Sequence, residues 1–70
     1  MEQPRLIRII RLADLPDYCG LKRTQIQQLV SEGRFPAPVR LSARRMGWLE
    51  SEVASWQAAR IAERDGGDNG

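Results

Sequence analysis

The 70-residue chain contains no histidine and a single cysteine, Cys19. Without histidine, the chain lacks the most common general base and the most common neutral metal ligand. One thiol neither closes an intrachain disulfide nor supplies the ligand spacing of a zinc site. We therefore expect no enzyme, no metal and no cofactor, and the unpaired thiol favours a location in a reducing cytoplasm.

Long apolar runs are also absent. No stretch approaches the roughly 20 residues of a membrane span, and the N-terminal residues lack the apolar segment of a signal peptide. The length allows one domain with a small core, too small for a cleft of enzyme size. Neither a membrane nor a small-molecule substrate is therefore an expected partner.

Charge is unevenly distributed, although the net charge is only +2. Residues 22–45 contain six basic side chains and one acidic one, a net charge of +5, whereas residues 49–70 carry a net charge of −3. A basic centre in a small domain favours an anionic partner. The alternative is a solvated surface with uneven charge, and charge alone does not separate the two.

The first half of the chain predicts an extended lead and a short helix. Residues 5–12 fit strand and helix equally well; we interpret them as an extended lead whose Ile7 or Ile10 touches the core. A helix is then predicted from about residue 14 to residue 19, with Leu15 and Tyr18 facing inward. Gly20 supplies the left-handed residue that ends it.

The second helix is predicted from about Lys22 to residue 31 or 32. Ile26, Leu29 and Val30 form one buried stripe along it, and Gly33 ends it. This order of a short helix, a glycine turn and a second helix is typical of a helix-turn-helix.

A basic hairpin and a third helix complete the pattern. Two prolines exclude helix from residues 35–39, and alternation around residues 39–41 predicts a strand, with the tip at 42–45 and a return strand at 46–48. The third helix is predicted over about 50–63, with Leu49, Val53 and Arg60 on the face of its anchor, Trp56. Residues 65–70 have nothing apolar to bury and are expected to be a disordered tail, which leaves residues 5–64 as the folded domain.

The exposed face of the second helix carries side chains that suit base recognition. Arginine pairs best with guanine and glutamine with adenine, and each good bidentate pair discriminates by roughly 1–3 kcal/mol. The candidate base-reading residues are Arg23, Thr24, Gln27 and Gln28. They lie in or near the first half of the helix, which in a helix-turn-helix points at the bases. A merely solvated polar face is the alternative.

Arg44 and Arg45 lie at the hairpin tip, a position at which their side chains cannot contribute to packing of the core. On a wing they would reach phosphates or the minor groove, whose negative potential attracts arginine. The alternative is a charged tip that keeps the edge of the sheet soluble. Arg40 is either a flanking contact or an exposed strand residue.

The aromatic residues allow two interpretations. Trp48 and Trp56 would suit a stacking platform for single strands or RNA. Their apolar neighbours favour the core instead, and Phe35 is interpreted as a buried plug in the loop. Cys19 is interpreted as a small core residue at a helix end.

The most specific motif is the run EGRFPAPVRL over residues 32–41. It is followed by an arginine, a Gly-Trp pair at 47–48 and a Glu-Val pair at 52–53 ahead of Trp56. This pattern resembles the AlpA family of small phage and prophage DNA-binding regulators. The resemblance covers about residues 5–64 and includes the Gly20-Leu21 turn. It implies a winged helix-turn-helix similar to that of excisionases and MerR proteins, in the order helix-helix-hairpin-helix, mainly α with a small β-hairpin. The family's wing arginine corresponds to Arg44. Its recognition-helix positions correspond to Lys22, Arg23, Thr24, Gln25, Gln27 and Gln28.

Two positions depart from the family pattern, which usually has serine at Lys22 and often has tyrosine at Gln27. Pro16 also falls in a segment that is usually plain helix. The expected function is sequence-specific binding of double-stranded DNA, as a phage transcription regulator or as an excisionase-like factor that bends DNA. Lys22 and Arg40 would position the phosphates.

The expected partners beside DNA are further copies of the chain, and a recombinase or RNA polymerase. The rival of another class is a protein-interaction adaptor that uses the same basic face.

Overall fold

The structure is a computed structural model that describes residues 5–66. Within that range it contains three helices and a three-stranded antiparallel sheet. In chain order the elements are β1 (Ile9–Arg11), α1 (Leu15–Cys19), α2 (Arg23–Ser31), β2 (Val39–Arg40), β3 (Met46–Leu49) and α3 (Glu50–Gly66). The predicted class, mainly helical with a small hairpin after a helix-turn-helix, is confirmed.

The sheet has one strand more than the predicted hairpin. Its strand order is β1-β3-β2, so the lead that we expected only to be extended pairs with the return strand. Ile10 lies opposite Trp48 and is buried, whereas Ile7 is 69% exposed, so Ile10 is the lead residue that reaches the core. A two-stranded hairpin is marginal in water, and the third strand gives β3 a partner on each side.

The short helix α1 follows the predicted bounds. Gly20 has a φ of 71° and its N–H donates to the carbonyl of Pro16 at 2.9 Å, which ends the helix. Leu15 is fully buried, but the prediction that Tyr18 faces inward is wrong, because this side chain is 59% exposed. A helix of five residues offers the core little more than one position, and Leu15 occupies it.

The second helix, α2, begins and ends with specific backbone hydrogen bonds. The N–H of Lys22, the N-cap, donates to Oε1 of Gln25 at 2.8 Å. At the other end the N–H groups of Gly33 and Arg34 donate to the carbonyls of residues 30 and 29, the Schellman arrangement, with Gly33 at a φ of 73°. Ile26 is fully buried beside the half-buried Leu29 and Val30, as the stripe predicted.

One small cluster of apolar side chains makes the core between the sheet and the helices. Its buried members are Ile10, Leu15, Ile26, Phe35, Trp48 and Val53. Leu49, which we expected on the face of the third helix, instead ends β3. The helix α3 continues through Asp65 and Gly66, two residues past the predicted end of the domain; residues 67–70, the rest of the predicted tail, lie outside the described range.

The connection from α2 to β2 is held by two tryptophans. Nε1 of Trp48 donates to the carbonyl of Pro36 at 2.7 Å, and Nε1 of Trp56 donates to the carbonyl of Arg34 at 3.2 Å. Both rings meet the buried ring of Phe35 edge-on, with centroids 6.3 and 4.9 Å away. We call Phe35, Trp48 and Trp56 the aromatic clamp. It confirms the predicted core role of these rings and fixes where the hairpin stands relative to α2.

Candidate nucleic-acid interface

The side of α2 opposite Ile26 is open to solvent. Arg23, Thr24, Gln27 and Gln28 are all exposed, because residues at these positions lie away from the buried stripe of a 3.6-residue helix. A nine-residue helix that follows a glycine turn and shows a polar outer face has the form of a recognition helix.

A groove separates α2 from the hairpin tip, and arginines line it. We call it the basic groove. Its lining residues are Arg11, Leu12, Ala13, Arg23, Gln27, Arg44, Arg45 and Met46. The guanidinium-bearing residues of the helix and of the tip therefore lie on the same side of the molecule, where one anionic ligand could contact both.

The tip that carries Arg44 and Arg45 is a tight turn. The N–H of Leu41 donates to the carbonyl of Arg45 at 2.8 Å, and the N–H of Arg44 lies 3.4 Å from Oγ of Ser42. On the arginines these bonds use only the backbone N–H and C=O groups, and both arginine side chains are exposed. A backbone held in this way positions two long cationic side chains with little freedom in the chain beneath them.

The other candidate residues lie around this groove rather than in it. Lys22 is exposed at the start of α2, and Arg40 pairs across the strands with Met46, a lining residue, so their side chains share one face of the sheet. A second shallow surface on the far side of α2 is lined by Leu21, Thr24, Gln25, Gln28 and Leu29. The predicted residues of α2 thus divide between two flanks of this helix, with Arg23 and Gln27 on one flank and Thr24, Gln25 and Gln28 on the other.

The ion pairs of residues 5–66 separate the arginines into two groups. Four arginines lie within 4.0 Å of a carboxylate: Arg8 with Glu50 and Arg34 with Glu32, each at 3.8 Å, and Arg60 with Glu63 and Arg64 with Asp65, each at 2.7 Å. All four pairs are exposed and contribute little stability. In the described range no ion pair involves the candidate residues Lys22, Arg23, Arg40, Arg44 and Arg45. The four arginines that line the basic groove are therefore among the cations without a carboxylate partner in residues 5–66.

Arg11 is the groove residue that the sequence reasoning missed. It closes β1 and lies opposite Gly47 in β3, two residues beyond Arg45. The signal was the antiparallel register: once β1 is paired with the return strand, its last residue must lie near the tip. The lead was interpreted without a partner, so that register was not available.

Cys19 is the single cysteine of the chain, and it joins no cluster of metal-binding side chains in residues 5–66. Cys19 is free, and partial burial raises the pKa of its thiol, which therefore stays protonated at neutral pH. Within residues 5–66 no group of three or more metal-binding side chains comes together. None of the helices in that range has both the length and the apolar character needed to cross a membrane.

Comparison with known proteins identifies the relatives of this arrangement. The pattern of the family described as "Prophage CP4-57 regulatory protein (AlpA)" matches residues 8–61, which include both helices of the helix-turn-helix and the whole hairpin. The chain belongs to the AlpA family. The uncharacterized protein ORF88 of Enterobacteria phage P4 is 42% identical over 60 residues, covering 86% of this chain and 68% of that protein.

No solved structure was found to match the chain. Membership in the AlpA family, together with a relative encoded by a phage, assigns the chain a regulatory role in phage biology. Lys22 and Gln27, the two positions that depart from the expected family pattern, lie at the start of α2 and in the basic groove.

Proposed function

We propose that this AlpA-family protein regulates phage genes by binding double-stranded DNA as a winged helix-turn-helix. The helix α2 enters the major groove, and the tip of the β2–β3 hairpin lies at the flanking phosphates or minor groove. One observation carries the proposal. Arg23 from the helix, Arg44 and Arg45 from the tip and Arg11 from β1 line one groove, and none of them has a carboxylate partner within residues 5–66.

The roles divide by position. Arg44 and Arg45 contact the backbone or the minor groove, and Lys22 and Arg40 position phosphates. Arg23, Thr24, Gln27 and Gln28 present donors and acceptors to base edges. Such a module buries about 600–1,000 Å² on DNA, at the low end for specific binding. Stable occupancy therefore calls for several copies on neighbouring sites or for a second protein.

The test is selection of bound duplexes from a random pool, followed by titration of the selected site at several salt concentrations. Binding should weaken steeply with salt, because each neutralised phosphate releases about 0.9 counterion. Arg44→Gln or Arg45→Gln should weaken binding to all sequences and lower the salt slope by about one unit. Gln27→Ala should instead relax the preference at one or two base pairs.

Arg64→Gln is the matched control, because Arg64 is an exposed arginine paired with Asp65 on α3, outside the groove. It should leave the salt slope unchanged. If no duplex is retarded at low salt, the proposal is wrong, and the adaptor that binds an acidic protein becomes the better hypothesis. A single selected site supports a transcription regulator, whereas an array of close repeats supports an excisionase-like factor.

A further inference from the structure

The three glutamines of α2 make different hydrogen bonds. Oε1 of Gln25 accepts the N–H of Lys22 at 2.8 Å, and Nε2 of Gln28 donates to Oε2 of Glu32 at 2.8 Å. Among residues 5–66 no side-chain hydrogen bond involves Gln27. Two of these three identical side chains are therefore held by different partners, and the third, Gln27, has no side-chain hydrogen bond within residues 5–66.

The chemistry of the partners decides which end of each amide faces which way. A backbone N–H is only a donor, so Gln25 must turn its oxygen toward the start of the helix. A carboxylate is only an acceptor, so Gln28 must turn its nitrogen toward Glu32, one helical turn further along. The carbonyl oxygen of Gln28 is then left without a partner in residues 5–66, on the exposed flank of the helix.

The neighbourhood of Glu32 also favours this orientation. Its second oxygen, Oε1, lies 3.8 Å from a guanidinium nitrogen of Arg34, whose carbonyl is bound by the indole of Trp56. The carboxylate is therefore placed between a flexible amide and a residue whose backbone is fixed by the aromatic clamp.

We propose that Glu32 is a positioning residue that makes Gln28 present its oxygen to the DNA. This inference rests on the proposed function, in which α2 lies in the major groove. There, adenine and cytosine offer an exocyclic amino group, whereas guanine and thymine offer a carbonyl oxygen at the corresponding place. A fixed amide oxygen accepts a hydrogen bond from the amino group of adenine or cytosine, and it is repelled by the carbonyl oxygen of guanine or thymine. On the strand that Gln28 contacts, one position prefers an amino-bearing base.

The test compares the sequence preferences of the wild type, Glu32→Gln, Gln28→Ala and the double variant. The wild type should favour adenine or cytosine over guanine or thymine by roughly fivefold or more at one position. Glu32→Gln keeps the shape but removes the charge, so the amide of Gln28 can turn either way. Its preference at that position should fall below about twofold, while preferences at other positions persist.

The double variant should behave as Gln28→Ala does, because Glu32 acts through Gln28. Arg34→Gln is the control, since it changes charge beside Glu32 but leaves the bond to Gln28; it should keep the preference. If Glu32 acts only by repelling DNA through its charge, Glu32→Gln should instead raise the affinity for every DNA sequence equally.

Equal melting temperatures of wild type and Glu32→Gln would show that the fold is retained. If Glu32→Gln binds DNA with every preference unchanged, the positioning role is wrong while DNA binding stands. If the wild type binds no duplex at all, both proposals are wrong.

Discussion

Trp48 links the core to the connection between the two candidate DNA-contacting elements. Its side chain is 2% exposed, packs against the edge of Phe35 and donates to the carbonyl of Pro36. Pro36 lies between α2 and β2, so its carbonyl belongs to neither a helix nor a strand ladder. The bond therefore holds a segment that regular secondary structure does not hold.

Trp48→Phe should destabilise the protein by roughly 1–3 kcal/mol, because it leaves the carbonyl of Pro36 without a donor and leaves space beside Phe35. A domain of this size has a total unfolding free energy of only about 4–10 kcal/mol. Urea denaturation followed by far-ultraviolet circular dichroism measures the loss without relying on indole emission.

Trp56→Phe is the matched comparison for that variant. The indole of Trp56 is only half-buried, and its hydrogen bond to Arg34 is longer, at 3.2 Å, and exposed. We expect a cost below about 1 kcal/mol, as for an ordinary exposed hydrogen bond. Equal losses for the two tryptophans would contradict the ranking of their roles.

At the scale of elements, the pairing of β1 with β3 is the contact that completes the sheet. Gly47 of β3 lies between Arg11 of β1 and Val39 of β2. A Cβ at this position would overlap Cγ2 of Ile9 and lie 3.1 Å from the carbonyl oxygen of Ile10. Glycine is thus required here by close packing between strands, rather than by an unusual backbone angle.

Gly47→Ala should destabilise the fold by about 1–3 kcal/mol, the usual cost of overpacking a tight contact. The same substitution in an Ile9→Ala background should cost markedly less, because the overlapping methyl is gone. Unfolding curves of the wild type, both single variants and the double variant give the coupling energy. Additive losses would mean that Ile9 is not the residue that excludes a side chain at Gly47.

Elements with strong local signals could be predicted from the sequence, and those that depend on pairing could not. Gly20 and Gly33 end α1 and α2 as expected, since a left-handed residue is a local requirement. The strand β1 has three residues and no period that separates it from helix, so only its partner β3 defines it. Tyr18 was misplaced for a related reason: which side of a one-turn helix is buried depends on its neighbours.

The candidate site follows the same division. Arg44 and Arg45 were predicted as a pair at a hairpin tip because the hairpin signal is local. That they line the same groove as Arg23 could not be predicted, because it depends on how the hairpin packs against α2. Arg11 entered the groove only through the register of β1. The bonds that hold Gln25 and Gln28 depend on rotamers that a sequence pattern does not contain.

At the scale of the whole molecule, the arginines that pair with carboxylates and the arginines that do not lie in different parts of the structure. The arginines paired with carboxylates stand at the N-terminal end of β1, at the end of α2 and along α3, whereas the unpaired ones of residues 5–66 include all the cations of the basic groove. A face whose cations have no internal partners is ready to exchange counterions for phosphates.

Arg11→Gln should lower the salt slope of DNA binding by about one unit, as expected for one lost phosphate contact. Arg8→Gln is its matched control in the same segment, because Arg8 is exposed but pairs with Glu50 away from the tip. Titrations of a single duplex at four or more salt concentrations supply both slopes. An unchanged slope for Arg11→Gln would remove this residue from the interface.

The aromatic clamp also makes tryptophan fluorescence a probe of the connection between α2 and the hairpin. The chain has two tryptophans, and their indole N–H groups donate to backbone carbonyls on either side of Phe35, in the connection between α2 and the hairpin. Their emission wavelength therefore monitors whether these two parts keep their relative orientation. A titration with DNA that leaves the spectrum unshifted would indicate docking as a rigid body, whereas a red shift would indicate that the linker opens to admit water.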